Sequence, residues 1–139
     1  KEDREIFVIS GYVITVNGQK KGVSTFADNE ARYFETEFTF RNPTFYRCCI
    51  AAGIICFTNL KPKSNSFDLV VENEKLYDKI KAFQKNKLKI EKEDGLLKIF
   101  LKKIKGYDIK VYYFYNEDYS KIKAYCLNKF PNLMQNKKI

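Results

Sequence analysis

Seven residues between positions 89 and 114, namely Lys89, Lys98, Phe100, Lys102, Lys110, Tyr112 and Phe114, mix cations with aromatic rings. That combination suits a single nucleic-acid strand, because ammonium groups neutralise phosphates and rings stack on bases. Catalytic chemistry has less to work with. The chain has no histidine, so the commonest general base and any cysteine–histidine nucleophile are absent. Neither G-x-x-x-x-G-K-[ST] nor G-x-G-x-x-G occurs. Cys48, Cys49, Cys56 and Cys126 form no C-x-x-C pair, so zinc is not expected. The expectation is a protein that is not an enzyme and uses no metal or cofactor.

Two fragments come near to catalytic motifs. "YDIKV", residues 107–111, looks like the D-x-K core of a metal-dependent nuclease hairpin. Such a core needs a second acid on the partner strand. The nearest candidate, Asp94, falls at the opposite hairpin end, about ten strand residues or roughly 30 Å away. "AAGIICFTN", residues 51–59, resembles the LAGLIDADG homing-endonuclease helix. Cys56 and Thr58 stand where that motif needs acids, so the resemblance implies no activity.

The charge is uneven as well as large. The 139 residues carry a net +9; residues 1–60 hold 7 Lys/Arg against 7 Asp/Glu, and residues 61–139 hold 19 against 10. A one-sided basic excess fits a polyanion partner. Lysine outnumbers arginine 22 to 4, and an AT-rich coding bias accounts for at least half of that excess. No apolar run approaches the ~20 residues that span a bilayer, so no membrane partner is expected. The cysteines cluster in "YRCCIAAGIICF" and read as buried, reduced thiols of an intracellular protein. A bridge from Cys126 to that cluster is the alternative. The chain opens on Lys1 without a leader and reads as one domain over 1–139, possible as a fragment of a longer chain.

The elements that must position these residues read as follows. "EIFVISGYVITV" is a long strand rich in β-branched and aromatic residues, with a bulge expected at Gly11. "NGQKKG" is a turn, "VSTF" a second strand and the alternating "YFETEFTF" a third. Residues 43–57 read as a buried helix, with Asn42 as its cap and Pro43 in its first turn, and a buried strand over "GIICF" is the alternative at its end. "FDLVV" is a strand, and "NEKLYDKIKAFQKN" is an amphipathic helix with Leu76, Tyr77, Ile80 and Phe83 on its stripe. Three lysine-rich strands follow, then a helix capped near Asn116. Residues 131–139 are a loose tail.

Asp94-Gly95 suits a two-residue hairpin turn with positive φ at both positions. In that register Ile90 faces Ile99 and Leu88 faces Leu101, while Lys89 faces Phe100 and Glu91 faces Lys98. A three-residue loop after it puts Leu97, Ile99, Leu101, Ile109, Val111, Tyr113 and Tyr115 on one face. The seven lysine and aromatic residues then share the other. A helix laid over that face is the competing arrangement, with the lysines reaching past its rim.

Residues 6–40 resemble in rhythm the first three strands of an OB-fold, and "VYYFYNEDYSKIKAYCLNKFPNL" resembles the closing segment of a PAZ domain. Each likeness covers fewer than 40 residues, and both imply a nucleic-acid role. The expected fold is α+β: a curved antiparallel sheet or partly open, OB-like barrel with about three helices. The expected function is non-catalytic binding of single-stranded RNA or DNA. The alternative is a protein–protein interaction or scaffold module in a larger assembly. Burial of Phe100, Tyr112 and Phe114 under a helix would remove the stacking platform.

Overall fold

The computed structural model describes residues 4–28, 33–38, 42–92 and 94–115. Its elements run β1 (Glu5–Val16), β2 (Gln19–Asp28), β3 (Tyr33–Phe38), α1 (Phe45–Asn59), β4 (Ser66–Val71), α2 (Glu74–Gln84), α3 (Gly95–Ile104) and β5 (Asp108–Tyr113). The architecture is α+β, with one open five-stranded sheet in the order β3-β2-β1-β4-β5. Strands β1, β2 and β3 form an antiparallel meander, as their alternation and turns suggest. The expected all-antiparallel sheet is corrected at its other half: β4 runs parallel to β1, and β5 parallel to β4.

The β1–β2 hairpin is local in origin. Asn17 and Gly18 take φ of 52° and 77° between partners Val16 and Gln19. A two-residue turn with both φ positive matches the right-handed twist of the strands it joins. No bulge interrupts β1, whose pairing with β2 is continuous from Phe7 to Val16. Gly11 instead lies against α1, where Cys48 packs over it.

Helix α1 starts two residues later than Asn42 suggests: Thr44 is the cap, and its hydroxyl accepts from Arg47 N at 3.1 Å. As expected from its apolar composition, its middle is almost entirely buried. Asn73 caps α2 by accepting from Leu76 N at 2.9 Å. Helices α1, α2 and α3 share one core with a single face of the sheet, built on Phe7, Ile9, Phe67, Leu69, Val71, Ile109 and Val111. The rings of Phe7, Phe57 and Phe67 meet with centroids 5.2–5.4 Å apart. The opposite sheet face is also buried at Val8 and Val70. Strand β4 therefore reads as a nearly continuous apolar run, the signature of a parallel strand covered on both sides. Its one charge, Asp68, accepts from Arg4 Nε at 2.8 Å.

The largest correction concerns residues 87–104, expected as two strands of a hairpin. Residues 87–91 have no regular structure, and 95–104 are a helix. Leu97, Phe100, Leu101 and Ile104 stand at i, i+3, i+4 and i+7, and all four are buried in the helix. A strand would have buried Ile99 in place of Phe100 and needed a bulge at Lys103-Ile104. The helical period buries the larger ring and needs none. A parallel β5 also requires a crossover from β4, and α2 with α3 supplies it.

Asp94 precedes α3 as its N-cap residue, and Gly95 does not adopt positive φ. A side chain added at Gly95 meets nothing within 4 Å. Gly95→Ala is therefore expected to stabilise by up to about 1 kcal/mol, by restricting the unfolded chain. A hairpin turn there would make the same change destabilising. Urea unfolding of the variant decides between the two. The helix expected near Asn116, Cys126 and the tail at 131–139 lie outside the described residues.

Candidate nucleic-acid interface

The seven residues of the expected lysine and aromatic face divide between two surfaces. Lys110 and Tyr112 share one face of β5, with Ile109 and Val111 facing the helices, and Phe114 follows just past the end of the strand. Lys98, Phe100 and Lys102 belong to α3, and Lys89 to the irregular segment before it. The four lysines are exposed. The rings are not: Phe100 is 0% and Phe114 1% exposed, and Tyr112 is half-buried. Phe100 enters the core because it lies on the buried stripe of α3, against Gly53 of α1. Phe114, just past the end of β5, is buried as well. Two of the three rings expected as a stacking platform, Phe100 and Phe114, are therefore interior.

The remaining tyrosines are also rearranged. Tyr113 and Tyr115, expected in the core, are half-buried and 38% exposed. Ring centroids run from Tyr77 to Tyr113 at 5.9 Å and on to Tyr115 at 5.8 Å. Tyr115 Oη donates to Glu72 Oε2 at 3.0 Å beyond the ends of β4 and β5. Burial first, and then the Glu72 charge, push the Tyr115 phenol well above its ordinary range.

What α3 does present is a lysine-rimmed groove. Lys98 and Lys102 stand one turn apart, which places such side chains as neighbours. With Lys105 they border a groove of about 280 Å3 whose floor is Phe83, Ile90, Ile99 and Leu101. Ile99 is 48% exposed and Ile90 36%. Among the described residues, no carboxylate lines the groove. Among the described residues, none of the three lysines forms an ion pair. Ile90, Ile99, Phe83 and Lys105 were not among the expected site residues. The helical period of 95–104 would have found Ile99, since it leaves that isoleucine off the buried stripe.

Asp94, at the head of α3, is held by its neighbours. Its carboxylate accepts from Tyr46 Oη at 2.8 Å and lies 3.9 Å from Lys79 Nζ. This ties α3 to α1 and α2 and fixes the groove wall. Burial, then the hydrogen bond and charge of Asp94, raise the Tyr46 phenol well above its ordinary value. Asp108 of "YDIKV" accepts from Ser66 Oγ at 3.1 Å at the start of β5. Among the described residues, no three His, Cys, Asp or Glu side chains gather as a metal site, and no helix is long and apolar enough to cross a membrane.

Cys48, Cys49 and Cys56 are not disulfide-bonded and are fully buried. Burial pushes the Cys48 thiol up from 9.0 to about 11, outweighing a backbone hydrogen bond and the Arg47 charge, which both lower it. The folded state thus holds this proton more tightly than the unfolded chain does. Its contribution to stability is complete below about pH 9 and is lost as pH rises through about 11. Alkylation of Cys48 in the folded protein should stay slow at pH 8 and accelerate towards pH 11. Mass-spectrometric mapping of the alkylated thiol reads this. Rapid modification at pH 8 would mean that the β1–α1 contact opens readily.

No family model and no curated protein matches the chain.

Proposed function

We propose that this protein is a non-catalytic nucleic-acid-binding module that holds its ligand chiefly by phosphate contacts. The observation that carries the reading is the cluster of Lys98, Lys102 and Lys105 on one open surface, with no carboxylate among the described residues lining it. Lys89 is also exposed, next in sequence to groove residue Ile90. Cations that no acid neutralises create the local positive potential that collects a polyanion. With Phe100 and Phe114 in the core, an extended stacking platform has no part in the mechanism. Recognition of this kind positions a strand without reading its sequence. The buried, unbridged thiols fit an intracellular, reducing compartment.

Lys98→Ala and Lys102→Ala are expected to weaken binding to all sequences alike. Each lost contact should remove roughly 0.7 from the slope of log K against log salt for a single strand, or roughly 0.9 for a duplex. Fluorescence anisotropy of labelled oligonucleotides over a salt series measures it. Binding that ignores both substitutions would sink the assignment to this surface.

A second reading, docking of a protein partner, is favoured by one specific observation. Ile99 and Ile90 are both exposed and line the same groove. A partner with acidic side chains around an apolar anchor would match it, as charge-complementary interfaces do.

A further inference from the structure

We propose that the α3 groove seats one unpaired base of a strand whose phosphates lie on its flanking lysines. The proposal rests on the nucleic-acid reading above and adds to it a preference for single strands and for one class of base.

Phosphate contacts alone leave the groove floor unexplained. Ile99 and Ile90 stay wet if only sugars and phosphates pass over them, and a duplex offers little else because its bases are paired and stacked. An unpaired base brings an apolar face within reach of its own phosphate. It can cover both isoleucines while Lys98 and Lys102 hold the backbone. The groove, at about 280 Å3, lies just below the roughly 300–1,000 Å3 range of drug-sized pockets. It is therefore suited to one ring system rather than to a run of stacked bases.

The polar lining selects further. Among the described residues, lysine ammonium groups are the only polar side chains lining the groove, and an ammonium donates hydrogen bonds but cannot accept them. Base edges rich in carbonyl oxygens are therefore favoured. Thymine and uracil carry two such oxygens beside one N3–H donor, whereas adenine carries no carbonyl oxygen and presents a two-proton amino donor. Pyrimidine runs also unstack at least cost.

The test uses the full chain and four labelled probes at one salt concentration: oligo-dT, oligo-dA, an abasic strand of equal length, and oligo-dT paired with oligo-dA. Oligo-dT should bind roughly tenfold tighter than the abasic strand, in line with one base contact. Oligo-dA and the duplex should fall nearer to the abasic value. Ile99→Ser, at an exposed position, should close the gap between oligo-dT and the abasic strand while leaving the salt slope and the unfolding midpoint unchanged. Equal binding of all four probes, still lost in Lys98→Ala, would refute the base seat and leave the phosphate reading standing. No binding of any probe would end both. Binding of a glutamate- and leucine-rich peptide that depends on Ile99, with oligo-dT inert, would assign the groove to a protein partner instead.

Discussion

Phe100→Ala should lose about 3–5 kcal/mol of stability, the usual cost of truncating a fully buried phenylalanine. The ring is 0% exposed, rests against Gly53 of α1 and lies 6.4 Å from the Phe57 ring, centroid to centroid. It is the largest side chain with which α3 is anchored, so its removal loosens the wall that carries Lys98 and Lys102. A surface ring awaiting a base would behave in the opposite way. Its truncation would change stability by no more than about 0.5 kcal/mol while weakening binding. Urea unfolding therefore distinguishes the two placements without any ligand. Ile99→Ser, one residue away, is the matched control and should leave the midpoint where it is. A wild-type midpoint for Phe100→Ala would put the ring back on the surface and restore the sheet-face arrangement.

The same helix shows what was legible in the sequence and what was not. The turn after β1 (expected over 17–22, closed by Asn17-Gly18 alone), the meander, α1, α2 and the inward parity of Ile109 and Val111 all follow from local chemistry: a turn that needs positive φ, or a period of 2 or 3.6. At residues 94–101 two local signals conflicted. Asp94-Gly95 is a strong turn dipeptide, and Leu97, Ile99 and Leu101 alternate, yet Leu97, Phe100, Leu101 and Ile104 fit a helix equally well. What favours the helix is the space at Gly53, some 47 residues earlier, which admits the Phe100 ring. Nothing near Phe100 in the sequence records that space. The parallel pairing of Ser66–Val71 with Asp108–Tyr113 is non-local in the same sense. Alternation says which side chains share a face of a strand but not which strand lies beside it. The lysines were singled out for their charge, and four of them are exposed. Their apolar neighbours in the groove emerge only once Phe83 of α2 and Ile90 are folded against α3.

Gly11→Ala is expected to destabilise by about 3 kcal/mol, at the upper end of the overpacking range. A Cβ built on Gly11 collides with the Cβ of Cys48 and comes within 2.7 Å of the Val23 carbonyl oxygen. Neither obstacle is the end of a flexible side chain. Relief requires α1 to lift from the sheet, and that movement strains the hydrogen bond from Ser24 Oγ to the Cys48 carbonyl, which is 2.7 Å long. Gly53→Ala makes the instructive contrast. There the added methyl lies 2.6 Å from Cδ1 of the Phe100 ring, a group that can be trimmed. Phe100→Leu should therefore recover part of the stability lost in Gly53→Ala, with a favourable coupling in the double-mutant cycle. Cys48→Ala should recover none of the loss in Gly11→Ala, because it keeps the offending Cβ. Lifting α1 would also uncover the Cys48 thiol, so Gly11→Ala should speed its alkylation at pH 8. Wild-type stability and wild-type alkylation in Gly11→Ala would together mean that α1 does not seat on β1 at this glycine.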